Sequence, residues 1–240
     1  LSAAQNVTAS APGTVTTAGG SVTVTAGVNA QLAGITTGSG AVTINSPGVT
    51  RFISPITNIG SLLTDAPGST VIGGGQLTVA NSFRFNDPVT LSAALTLGGP
   101  AGRFNSTLNG GQALTANLNG NLTFVGAVGG TQPLASITSA AAGTMLFYGG
   151  QVRTTGAQVY NGAVLLGTNT TMAASALTFN GTLNTGPALT TLAPLSGGNA
   201  ATTGESDLIA NVSGATTFNA PVDQLTRLGD VTTDAAGTAV

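Results

Sequence analysis

The side chains able to do chemistry are few: seven carboxylates, Asp65, Asp87, Glu205, Asp207, Asp223, Asp230 and Asp234, and five arginines, Arg51, Arg84, Arg103, Arg153 and Arg227. The 240-residue chain contains no Cys, no His and no Lys. Thiol catalysis, imidazole acid–base work, Schiff-base chemistry and the usual zinc ligand sets are therefore excluded. What remains is carboxylate chemistry, above all the two acids that flank a glycosidic bond in hydrolysis. Glu205 with Asp207, and Asp230 with Asp234, are the pairs with suitable spacing. Neither is accompanied by the aromatic or basic residues that a carbohydrate site gathers, so the acids are read as turn residues that keep a weakly charged chain soluble. No catalytic, cofactor-binding or metal-ligating residue is assigned, and no enzyme is expected.

Other motif-like features reduce to geometry. Gly73-Gly74-Gly75 and Gly149-Gly150 are followed by neither Lys-Ser/Thr nor a helix, so they read as corner glycines and not phosphate loops. Paired glycines are followed by Ser21, Gln76 and Gln151, where a calcium-binding nonapeptide repeat needs Asp. Thr23-Val24-Thr25 has no regular successor of the kind that an ice-binding face requires. Asn-x-Ser/Thr occurs at Asn6, Asn105, Asn121, Asn169, Asn180 and Asn211, a glycosylation signal only in a host that reads it. Five dispersed arginines in a chain of net charge −2 speak against nucleic acid as a partner. No run approaches the ~18 apolar residues of a membrane helix, and 4% aromatics cannot build the girdles of a membrane barrel.

The elements that carry these residues are legible from alternation and repetition. Ser21 to Thr25, Ala41 to Ile44, Leu77 to Val79 and Leu95 to Leu97 alternate apolar residues with Thr, the period of a strand with one buried face. Gly, Asn, Pro and Ser separate them and supply bends. No helix is expected beyond a short cap. A motif close to Thr-x-x-Ala-x-Gly-Thr places Gly13, Gly68, Gly143 and Gly237 at intervals of 55, 75 and 94, which grow by 20 and then 19. Residues 74 to 115 align with 149 to 190 at an offset of 75, and residues 114 to 144 with 208 to 238 at an offset of 94. Phe85, Phe104 and Phe124 are 19 and 20 apart, as are Tyr160 and Phe179 at 19; Phe52 to Phe85, Phe124 to Tyr160 and Phe179 to Phe218 are 33, 36 and 39, each read as two coils.

The expectation is an all-β, right-handed parallel β-helix of about 19 residues per coil and about 12 coils, roughly 60 Å long at the strand spacing of a sheet. Each coil would hold three strands of three to five residues, and the growing intervals would mark insertion of a whole coil. Residues 1–240 form one segment with super-repeats over about 13–67, 68–142 and 143–236. Phenylalanines would pile into one ladder, Tyr160 taking the position of Phe85.

The stretch Gly149-Gly150-Gln151-Val152-Arg153-Thr154-Thr155-Gly156-Ala157-Gln158-Val159-Tyr160-Asn161-Gly162, continuing to Thr171, resembles the repeats of filamentous-haemagglutinin-like surface proteins and autotransporter passengers of Gram-negative bacteria. The resemblance covers about residues 48 to 240; the Asn-Pro-Asn-Gly signature of the two-partner secretion module does not appear. It implies a right-handed β-helix exported across the outer membrane, acting as an adhesin or as fibrous surface material. The partners expected are further copies through open coil ends, neighbouring surface proteins or surface glycans, with no membrane insertion and an extracellular location. A carbohydrate-active β-helix enzyme, or a glycan-binding module with Tyr148 or Tyr160 in a groove, is the alternative. The chain starts at Leu1 and is read as a piece of a longer one in which Gly-Gly follows at 243 and 244.

Overall fold

A computed structural model describes residues 1–9, 14–187, 205–223, 227–234 and 238–239. Every described element is a strand or turn, and every strand pairing among them is parallel. The strands stack in three columns, here faces A, B and C, visited in that order in each turn. Val22–Ala26, Ala30–Leu32 and Ile35–Thr36 make one such turn, and Ala41–Asn45 begins the next directly above Val22–Ala26. The protein is thus a β-solenoid of about ten turns, about 50 Å long at ~4.8 Å per turn.

The count is lower than the expected 12 for two reasons. Some turns are longer than the expected period: Phe104 pairs with Phe124 after an ordinary interval, but Phe124 pairs with Phe147 after a wider one. More importantly, Thr170–Ala174 pairs directly with Leu208–Val212, and Leu177–Phe179 directly with Ala215–Phe218. No storey therefore stands between these partners. The reading of the longer interval as an inserted coil is corrected accordingly: parallel partners in contact leave no gap for a coil between them. Gly13 and Gly237 of the recurring motif lie outside the described residues.

Two strands exceed the expected three to five residues. Ile56–Thr64 and Gln76–Phe85 are 9 and 10 residues long, because each runs from face C through the corner into face A without losing its ladder. Register shifts within their pairing absorb the bend, and Asn58 sits at φ 56°, where its carbonyl accepts the N–H groups of Thr37 and Gly38 at 3.0 and 2.8 Å. Asn tolerates this left-handed conformation better than most residues. At other corners glycine serves: Gly75 and Gly150 have φ of 75° and 68°.

The core is one continuous cluster of inward side chains, held by apolar burial worth about 25 cal/mol per Å². The aromatics make not one ladder but two. Phe85, Phe104, Phe124 and Phe147 rise on face A with centroids 5.2–5.3 Å apart and near-parallel rings. Tyr160, Phe179 and Phe218 rise on face C at 5.3 and 5.2 Å. The ladders meet edge to face, Phe147 against Tyr160, at 5.9 Å and 75°. Tyr160 is fully buried, but on a different face from Phe85, with which it aligns. The segments related by the offset of 75 are displaced by one face throughout: Phe104 is on face A and Phe179 on face C, Val89 on face B and Val164 on face A. The intervals of 33 and 36 are likewise one and two-thirds turns, and the interval of 39 is a single one. Aligned segments thus recur on different faces, so the repeated unit is a strand with its corner and not a fixed number of whole turns.

Candidate functional site

Asp65, Asp87, Glu205, Asp207 and Asp223 are each engaged by the scaffold, whereas Asp234 Oδ1 is buried without a partner. Where face A turns into face B, Asp87 is 1% exposed. Its Oδ1 accepts from the Thr64 hydroxyl and its Oδ2 from that of Thr70, both at 2.7 Å. One turn earlier Asp65 accepts the Ser46 N–H at 2.8 Å through Oδ2, while its buried Oδ1 has no hydrogen-bond partner. Burial raises the pKa of both; for Asp87 the two threonine hydroxyls pull it down, and the Asp65 charge pushes it further up.

Of the candidate pairs, Glu205 and Asp207 are engaged by different partners. Glu205 forms an exposed ion pair with Arg227 at 3.2 Å, a contact of little energetic weight in water. Asp207 is part of a corner ladder: Asn169 Nδ2 donates to its Oδ2 at 2.8 Å, its own N–H donates to Asn169 Oδ1 at 3.0 Å, and the Asp230 N–H donates to its Oδ1 at 2.9 Å. Asp230 and Asp234 bracket the strand Val231–Thr233, so about 13 Å of extended backbone separates them. Asp223, at φ 66°, accepts the Leu228 N–H at 2.7 Å. Among the described residues no three acidic side chains converge on a common point.

The same corners hold amide ladders. Asn219 donates to Asn180, and Asn180 to Asn161, each at 2.7 Å; Asn161 donates to the Ser139 carbonyl at 2.8 Å. On the face A side Asn105 donates to Asn86. These asparagines immediately follow an inward aromatic: Phe85-Asn86, Phe104-Asn105, Tyr160-Asn161, Phe179-Asn180 and Phe218-Asn219. The repeated aromatic-Asn dipeptide was the available signal for them. In the sequence Asn105, Asn169 and Asn180 read as glycosylation signals, whereas their amide nitrogens donate to neighbouring turns.

Both tyrosines have structural partners. The Tyr160 hydroxyl donates to Gln158 Oε1 at 2.9 Å, and Gln158 Nε2 in turn donates to the Ala173 carbonyl at 3.0 Å; burial drives the Tyr160 pKa up. Tyr148 lies over Gly167, where a Cβ would meet its ring, and donates to the Pro187 carbonyl at 2.8 Å. On the outer side of face C, Thr96, Thr115 and Thr138 stand in register, as do Thr178 and Thr217, with Val159 between them. It is a single row, because Thr78 is followed on the next turn by Gly98.

One groove of about 260 Å³ lies at the amino-terminal end of face B, lined by Asn6, Val7, Thr8, Asn29, Ala30, Gln31, Val49 and Arg51. It contains no carboxylate. No described helix is long and apolar enough to cross a membrane. No family model matches the chain, and no curated protein or solved structure matches it either.

Proposed function

We propose that the chain is a rigid structural segment, a stalk or fibre element of a bacterial cell-surface protein, acting outside the cell through length and repetition. The observation that carries this reading is the continuity of the ladder: three faces paired turn upon turn, aromatics stacked inside, and amides bridging the corners. Such a stack transmits load along its axis because each turn contacts only its neighbours. The polar side chains that an enzyme would direct into a cleft are engaged here in hydrogen bonds between turns. The resemblance of residues 149 to 171 to adhesin repeats points in the same direction. End-to-end self-association is part of the same proposal, because an open solenoid edge would offer strand backbone to a second copy.

Negative-stain electron microscopy of the purified chain across a concentration series tests this. At low concentration short rods are expected, about 50 Å long from the spacing of stacked strands, lengthening into filaments as the concentration rises. Globular particles, or rods that stay monomeric at millimolar concentration, would remove the stalk and the end-to-end assembly respectively. A carbohydrate enzyme would instead release reducing ends from a polysaccharide panel, and loss of that release on substituting Glu205 or Asp230 would replace this reading.

A further inference from the structure

Face A carries two of the five arginines one above the other. Arg84 and Arg103 are direct partners in the ladder between Gln76–Phe85 and Ala101–Phe104. Their side chains point outward, because Phe83, Phe85 and Phe104 occupy the alternating inward positions. Adjacent turns lie ~4.8 Å apart, so two positive charges sit at a spacing that calls for a counter-charge. None comes from the described residues: the ladder neighbours of the pair are Leu63 on one side and Thr123 on the other, and the ion pair among the described residues belongs to Arg227.

Arg103 is held in place from the corner. Arg103 Nε donates to Asn105 Oδ1, and Asn105 Nδ2 donates to Asn86 Oδ1, so the guanidinium is anchored from the corner by a two-turn amide chain. Anchoring through Nε leaves the terminal nitrogens of Arg103 without a hydrogen bond to the described residues. Both arginines are half-buried, and burial together with the Arg84 charge lowers the Arg103 pKa. An arginine that is partly desolvated, oriented and beside a second arginine is suited to a polyvalent oxygen anion, whose several acceptors can each take an N–H from a different fork.

We propose that the Arg84–Arg103 pair binds a tetrahedral oxyanion of the phosphate or sulfate class, which bridges two successive turns on face A. This stands apart from the stalk reading, since it concerns one site on the wall of the solenoid. The anion links adjacent turns and so stabilises the folded state through binding.

The test is isothermal titration of the full chain with sodium phosphate and sodium sulfate, against sodium chloride at equal ionic strength, with thermal unfolding in the same buffers. Wild type is expected to bind one anion saturably and to unfold at a higher temperature than in chloride. Arg84→Gln and Arg103→Gln should each weaken binding at least tenfold, while Arg51→Gln, a lone arginine on face B, should leave it unchanged. Arg103→Lys keeps the charge without the fork, and intermediate binding by this variant excludes misfolding as the cause. No saturable heat in wild type, or an equal response in wild type and the Arg84 and Arg103 variants, overturns the proposal. Dextran sulfate forms a further arm. Arginine-dependent binding of that polymer without any binding of the inorganic ions overturns the free-anion form and assigns the site to an ester group on a polysaccharide.

Discussion

Phe104→Ala is the sharpest probe of the architecture. Phe104 is 1% exposed, lies 5.3 Å from Phe85 on one side and 5.3 Å from Phe124 on the other, and takes Phe83 edge-on at 5.7 Å. Truncating a buried Phe to Ala costs about 3–5 kcal/mol when the cavity cannot close, and each aromatic pair adds about 0.5–1.5 kcal/mol beyond its area. Closure is resisted here, because the neighbouring rings are fixed by ladders on both sides. A loss near the top of the range, about 4–5 kcal/mol, is expected. Phe218→Ala is the internal control: Phe218 is only partly buried and stacks on Phe179 alone, so it should cost about half as much. Urea unfolding followed by far-ultraviolet circular dichroism gives both values. Hydrogen exchange should show protection lost first in the turns that contain Phe85 and Phe124, as nearest-neighbour coupling requires. A Phe104→Ala cost below about 1 kcal/mol, outside the range for a truncated buried ring, or one equal to that of Phe218→Ala, would refute the stacked core.

Two further perturbations read other parts of the structure. Asp87 and Asp65 have folded pKa values raised above the ordinary 3.8, so between that value and the raised one the folded state holds protons that the unfolded chain has released. Their contribution to stability is then complete below the ordinary pKa and is lost as pH rises through the folded one. Urea midpoints should fall from pH 4 towards neutrality, and Asp87→Asn should flatten that fall and raise the midpoint at pH 7. A flat wild-type profile would contradict the burial of these acids. Gly102→Ala tests the close approach on face A, where a Cβ would lie inside the ring of Phe83. Overpacking of this kind costs about 1–3 kcal/mol, and the double variant Phe83→Leu/Gly102→Ala should recover part of it in the same assay; no coupling between the two would mean that the ring does not occupy that space.

Much of the fold was legible because its rules are local. Alternation in Val22–Ala26 and Leu95–Gly99 names the buried face without reference to any neighbour, and the spacing of Phe85, Phe104 and Phe124 matches a turn. The long strands Ile56–Thr64 and Gln76–Phe85 were not legible, since Gln76–Phe85 passes its corner with no Gly or Pro to mark it, and Asn58 and Gly60 in Ile56–Thr64 read as a break between two strands where the ladder in fact continues. Nor was the juxtaposition of Arg84 with an anchored Arg103. Two arginines one period apart carry no signal in a linear chain, and only the stacking of turns makes them neighbours.

The sequence by itself determined that this is a winding all-β chain with a narrow apolar interior, because side-chain period and turn chemistry act over a few residues at a time. It also determined which chemistries are absent, since no fold can supply a thiol or an imidazole that the chain lacks. The tertiary structure alone decided on which face each repeat lies, that Thr170–Ala174 and Leu208–Val212 are direct neighbours despite their long separation, and that Glu205 and Asp207 take different partners while two arginines become ladder neighbours. Those outcomes depend on how many residues each corner consumes, a quantity fixed by packing against the turn below and not by local sequence.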